Sequence, residues 1–361
     1  YNQTNELLGY VVNRAHHAEL GGTHPASMPP DAKSLEEEGV VIEPFHLVKS
    51  GKTDWEGIRR ILQDAPYPSR AVEENLADLN AALAANRTGS ELLLDLAEKY
   101  SAATVIDYMK HLREYAASRM SQTQAKIPDG TYEAIEYLDD QSCLKVKIGI
   151  SEEKCIIDFS GTSGVHPGNM NANYAIVNSV IIYVLRLLLD EALPLNEGFM
   201  KPVDLILPEC LLNPNFNFPP DQCPAIVGGN VEVSQRLTDT LLKAFGVIAC
   251  SQGTMNNVML GNQNFSYYET ICGGCGAGKD FAGASGVHHH MTNTRITDPE
   301  ILENRYPLKL MEFSIRKGSG GKGKYPGGKG VIRILEFAEE TTVSILSQHR
   351  VIKPYGMEGG G

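Results

Sequence analysis

Residues 128–159, PDGTYEAIEYLDDQSCLKVKIGISEEKCIIDF, set the fold class. Pro128, Asp129 and Gly130 mark a turn. Beyond it Leu144, Val146 and Ile148 alternate with Lys145 and Lys147, the period of a half-buried strand, and residues 155–159 read as a second strand. Upstream, Leu76, Leu79 and Leu83 fall at i, i+3, i+7, and Val105, Met109, Leu112 and Ala116 repeat that helical spacing. These stripes predict the core faces of helical hairpins over residues 68–123, with a break at Arg87, Thr88 and Gly89. Downstream, helices are expected over 173–189 and 234–249, and short strands over 331–337 and 341–346. The class is α+β, with mixed sheets, glycine-rich loops and a helical segment at about 68–123. Three regions follow: a strand and loop region over 1–67, in which residues 7–12 read as a buried strand, a helical segment over 68–125, and an α/β core over 126–361.

A chain of 361 residues has ample length for a large core. Thirty-two Lys and Arg against 44 Asp and Glu give a net charge of −12, a poor match to a phosphate backbone, so no nucleic-acid partner is expected. No apolar run approaches the roughly 20 residues that span a bilayer, so no membrane partner is expected. The longest run, 180–189, is interrupted by Arg186 and reads as a buried helix. Seven scattered cysteines in a large chain predict free thiols and a cytoplasmic location. Tyr1 at the start and Gly359, Gly360 and Gly361 at the end read as cut ends.

Four candidate sites stand out. In NRAHHAELGG (13–22), His16 and His17 with Glu19 offer metal ligands and a supporting carboxylate; on a strand the two imidazoles would face opposite sides. Cys272 and Cys275, followed twelve residues later by His288, His289 and His290, give half of a zinc finger. The half with two spaced histidines is missing, since the next is His349. Two runs approach a phosphate-binding loop, from Gly273 to Lys279 and from Gly318 to Lys324. Asp280 and Tyr325 stand where the magnesium-holding hydroxyl belongs, so neither is a nucleotide loop. Finally, polar glycine-punctuated runs place Asn169, Asn171, Asn230, Glu232 and Asn256 where directed donors could meet a small polar substrate. The same residues also make turns and helix caps well.

In order along the chain, the runs NRAHHAELGG with SMPP (27–30), LEEEGV (35–40), PYPSR (66–70), DFSGTS (158–163), PGNMNA (167–172), PLNEG (194–198), GGNVEVSQR (228–236), QGTMNN (252–257), YYET (267–270), HMTNTRIT (290–297), RYP (305–307) and KGSGGKGKYPGGKGV (317–331) resemble the hydantoinase B and 5-oxoprolinase family. The resemblance extends from residue 13 to residue 361. It implies the B-type component of an ATP-dependent hydrolase that opens a cyclic amide or imide such as 5-oxoproline or a hydantoin. A hydantoinase-A-like ATPase, as a partner subunit in a hetero-oligomer or as the other half of a fused chain, would phosphorylate the amide oxygen and turn it into a leaving group. That division of labour suits a chain without a nucleotide loop.

The resemblance further implies a divalent metal ion (manganese, zinc or magnesium) with His16 and His17 as ligands. In the related acetone carboxylases the equivalent region binds such an ion with an upstream Gly-Gly-Thr-His-x-x-Asp motif, which would lie before Tyr1. Gly21 to His24 spells part of that motif, but Ser27 takes the Asp position and the run follows the histidine pair. Glu19 stands where the family often has Asp. The family pattern retains His288 and His290, at strand spacing on one face, and makes Cys272 and Cys275 incidental. The implied catalytic residues are therefore Glu19, Glu232, His288 and His290, with Asn169, Asn171, Asn230 and Asn256 binding substrate. An acetone-carboxylase-type α component, or a catalytically silent assembly subunit, is the alternative.

Overall fold

The computed structural model describes residues 6–151, 154–189, 191–263 and 265–361, and the fold is α+β. The alternation around Leu144 folds as expected. Strands β1 (Val48–Lys49) and β2 (Lys52–Thr53) make a small hairpin, and β3 (Gly130–Tyr137), β4 (Cys143–Ser151), β5 (Lys154–Asp158) and β6 (Val203–Ile206) form a four-stranded sheet in that order. Its first three strands are antiparallel and β6 runs parallel to β5. Leu144, Val146 and Ile148 are fully buried on the inner face, each contributing about 2 kcal/mol of apolar burial.

Helices α1 (Trp55–Gln63), α2 (Val72–Tyr100), α3 (Ala102–Gln124), α4 (Tyr174–Leu188), α5 (Ser234–Phe245) and α6 (Pro299–Arg305) complete the helical set. Asn173 caps α4 by accepting from the Ile176 amide, and Val177, Val180, Ile181 and Val184 point into the core. α5 packs across β3 and β4 with α4 beside it. It stops at Gly246, whose φ of 65° supplies the left-handed cap, rather than continuing to 249.

Four expectations are corrected. The 1–67 region contains α1, begun by the Asp54 side chain accepting from the Gly57 amide and held by buried Ile58 and Leu62. Residues 7–12 form no strand: Leu8 is buried, but Leu7, Tyr10 and Val12 are exposed and make no ladder. Helix α2 runs unbroken through Gly89, where a Cβ would lie 2.7 Å from Val11 Cγ1. The glycine admits a neighbouring side chain, and the chain breaks instead at Ser101, with φ 76°. Along α3 the stripe enters the core only at its C-terminal end, through Ala116, Ala117 and Met120, while Met109 and Leu112 remain exposed because the hairpin projects beyond the core.

The remaining strands are β7 (Asn257–Gly261), β8 (Ser266–Thr270), β9 (Leu308–Ile315), β10 (Val331–Phe337) and β11 (Thr342–Leu346). β7 lies between β11 and β8, and β9 pairs with β10. Immediately before α5, residues Gly229–Val233 form a π-helical turn, a wide-turn geometry frequent at functional sites. A Cβ on Gly229 would meet Asn171 O at 2.1 Å, so glycine lets the 167–172 loop lie against this turn. No helix among the described residues is long and apolar enough to cross a membrane.

Candidate active site

The π-turn and α5 carry a row of charged residues at helical spacing: Glu232, Arg236, Asp239 and Lys243. The first three are fully buried. Arg236 Nη1 donates to the Tyr137 carbonyl, while its Nε and Nη2 find no acceptor. Lys243 pairs with Glu136 on β3. Glu232 Oε1 accepts from Asn257 Nδ2 at 2.8 Å and from the Met255 amide at 3.2 Å, whereas Oε2 is buried without a partner. Burial pushes the Glu232 carboxyl up to about 8 against the lowering effect of the Met255 amide and the nearby Arg236 and Arg350 charges. It therefore holds a proton at neutral pH.

Further along the same face, Asp239 meets Cys250, just past the end of α5, and His349 from far along the chain. Asp239, Cys250 and His349 each offer a ligand atom, all within 4.8 Å of one another. Cys250 Sγ lies 3.8 Å from His349 Nε2, and His349 Nδ1 lies 2.6 Å from the Ile352 carbonyl. Nδ1 therefore carries the proton and Nε2 presents its lone pair to the cluster. Asp239 Oδ2 is buried without a hydrogen-bond partner. Desolvation pushes the Cys250 thiol well above its usual range and His349 down to about 4. Gly253, at φ 63°, closes over the group; a Cβ there would sit 2.3 Å from His349 Nε2. Three converging donors with an orphaned carboxylate oxygen fit a divalent ion, and the sulfur favours zinc over magnesium or manganese.

His290 completes the arrangement. Its Nε2 is 3.1 Å from Ser251 Oγ and 3.6 Å from Asp239 Oδ1, and its Nδ1 is 3.1 Å from the Tyr183 hydroxyl. Burial lowers its pKa, with Asp239 opposing, so the imidazole is neutral. Ser251 Oγ also accepts from the Gly276 amide at 3.1 Å. Cys250, Ser251, Gln252, Thr254, Asn256 and His349 line a cleft of about 1180 Å³ whose other walls are the glycine loops around residues 273–278 and 321–330.

The other expected residues are dispersed. His16 is exposed, and His17 bonds Asp78 of α2 at 2.9 Å. Among the described residues neither belongs to a group of three or more potential metal ligands. Glu19 is buried, accepting from the Gly21 and Ala26 amides and from Arg70 Nη1, so it ties the 19–27 loop to the start of α2. Asn169 Nδ2 donates to the Pro29 carbonyl. Asn171 spends its amide on His166, Gly168 and Ala225. Asn230 lies in the π-turn, where its carbonyl accepts from Ser234 Oγ. Asn256, at φ 50°, is the one of these asparagines that lines the cleft.

His288 and His290 do not share a strand face. Val287 makes a single bridge to Gly273, and the chain then turns at His290, with φ 52°, so strand alternation ends. His288 is left with both ring nitrogens buried and unpaired. Residues that sequence reasoning missed are Asp239, Cys250, Ser251, His349 and Tyr183. In the sequence Asp239 stands only at i+7 from Glu232 in a segment expected to be a helix, a spacing that places the two on one face without naming a site.

Residues 1–361 match the model of the family described as Hydantoinase B/oxoprolinase. The 5-oxoprolinase 1 of Arabidopsis thaliana is 42% identical over 382 residues, covering 98% of this chain and 30% of that protein. The Saccharomyces cerevisiae 5-oxoprolinase is 44% identical over 391 residues, covering 100% of this chain and 30% of that protein. The chain thus spans under a third of the length of these relatives. In fold it is similar to the ATP-dependent caprolactamase from Pseudomonas jessenii, with a TM-score of 0.79 at 24% identity over 91% of this chain and 59% of that one.

Proposed function

The chain belongs to the hydantoinase B/oxoprolinase family, and we propose that it is the hydrolytic part of an ATP-dependent enzyme that opens a cyclic amide or imide. The relatives' name makes 5-oxoproline the first substrate to test, with hydantoins second. An ATPase component, on a partner subunit or elsewhere in a longer chain, phosphorylates the amide oxygen. Water then adds to the activated ring carbon and gives up a proton, and the ring C–N bond breaks as the nitrogen takes a proton. The resulting acyl phosphate reacts with a second water to give carboxylate and inorganic phosphate.

His290 is the base in this reading. It is neutral, its Nδ1 faces the Tyr183 hydroxyl, and its Nε2 reaches the cleft through Ser251 Oγ at 3.1 Å. That contact is the observation that carries the proposal. Asp239, Cys250 and His349 would hold a divalent ion beside it, which when bound polarises an oxygen and acidifies water. Glu232 is a positioning residue: its carboxyl grips Met255 and Asn257 behind the cleft wall. The free thiols and the dependence on ATP suit a cytoplasmic enzyme.

The test uses the full-length protein with its ATPase component, 5-oxoproline or hydantoin, and the His290→Gln variant. Substrate-dependent ADP release should continue while ring-opened product falls about 10²–10⁴-fold. Equal loss of ADP and product, or loss of neither, would remove His290 from the hydrolytic step.

A further inference from the structure

We propose that the outer wall of the cleft is a binding site for a phosphoryl dianion, and that it holds the phosphate of the activated ring while the reacting carbon meets Ser251. This rests on the ring-opening reading and names the group by which that site grips its substrate. The cleft is lined by Lys279, Arg316, Lys322, Lys324, Arg350 and Lys353, against a single acidic side chain, Glu358. Among the described residues none of these six cations makes an ion pair. In a chain of net charge −12, six cations against one acidic side chain locally invert the overall charge. Unpaired like charges crowded into one concavity repel one another, and a bound anion relieves that repulsion while the low-dielectric walls concentrate the field.

Two further features make this a site rather than a basic surface. Arg350 is held in place: Nη2 donates to Asn256 Oδ1 and Nε to Ser347 Oγ at 3.1 Å, so one guanidinium is already oriented. Much of the wall between the cations is glycine, packed backbone against backbone. A Cβ on Gly274 would meet Gly328 O at 2.0 Å and one on Gly276 would meet Ala249 O at 1.8 Å. Such walls carry no side chains that would fill the cleft. The buried end of the same cleft presents Cys250, Ser251 and His349, and the exposed cations lie around it. A substrate whose phosphate sits on the oxygen of its reacting carbon is therefore drawn in with that carbon toward Ser251.

A dianionic phosphate and a substrate carboxylate are both anions, and titration separates them. The full-length protein, with its nucleotide site saturated by MgADP, is titrated calorimetrically with inorganic phosphate and separately with acetate. Phosphate should bind saturably, and the Lys322→Gln/Lys353→Gln variant should bind it at least tenfold more weakly with an unchanged thermal midpoint. The single variant Lys279→Gln should show a smaller loss in the same direction. Equal phosphate affinity in all variants, or acetate binding as tightly as phosphate, overturns the proposal. No cyclic amide turns over in this experiment, so its failure leaves the role of His290 standing, and the reverse holds.

Discussion

Glu232→Gln separates a positioning carboxyl from a proton-transfer group, and its effect can be worked out in advance. The folded-state pKa is raised from 4.5 to about 8 by burial. Between those values the folded chain keeps a proton that the unfolded chain has released, so stability declines as pH rises and levels off above pH 8. At about 1.4 kcal/mol per pH unit, the wild type loses roughly 4 kcal/mol from pH 5 to pH 8. Glutamine is the neutral isostere: its oxygen keeps the Met255 and Asn257 bonds, and its titration cost is nil. At an unfolding entropy of about 2 cal/mol/K per residue, 4 kcal/mol across 361 residues is about 5 °C. The variant should therefore match the wild type near pH 5 and exceed its midpoint by about 5 °C at pH 8.5, measured by scanning calorimetry. Ring opening at pH 7 should stay within about threefold of wild type, because the native carboxyl is already protonated there. Parallel midpoint curves for the two proteins would refute the buried-acid argument, and a hundredfold loss of turnover with intact stability would make Glu232 a proton carrier.

The two candidate metal sets make opposite forecasts. In Cys250→Ala, metal per chain by elemental analysis should fall at least tenfold and a cobalt-substituted protein should lose its sulfur-to-cobalt absorption, whereas His16→Ala/His17→Ala should retain both; the reverse pattern would move the ion to the N-terminal pair. Glu19→Ala strands the Gly21 and Ala26 amides and deprives Arg70 of its carboxylate, so it should cost about 3–5 kcal/mol by denaturant titration, while unchanged stability would free Glu19 for a chemical role.

Much of the scaffold was legible because local rules and burial agree there. The Leu144, Val146 and Ile148 alternation is a strand whose apolar face meets the core, and 174–188 is a helix capped by its own Asn173. The candidate site was illegible for a physical reason. A row at i, i+4, i+7 and i+11 reads as a solvated helix face, and nothing in residues 232–243 alone says otherwise. What buries it is supplied from far along the chain. The Tyr137 carbonyl receives Arg236, the Asn257 amide reaches Glu232, and the Cys250 and His349 side chains close on Asp239. Cys250 and His349 lie 99 residues apart, so no spacing rule joins them. The histidine run failed differently: strand spacing was a sound local inference for His288 and His290, but a left-handed residue at 290 turns that ring toward Ser251. Burying three ionisable groups in one row costs more than local packing returns. A helix that carries Glu232, Arg236 and Asp239 inward with an unpaired oxygen on each acid is shaped by what must bind or react beside it, and that is the strongest structural reason to place the chemistry there.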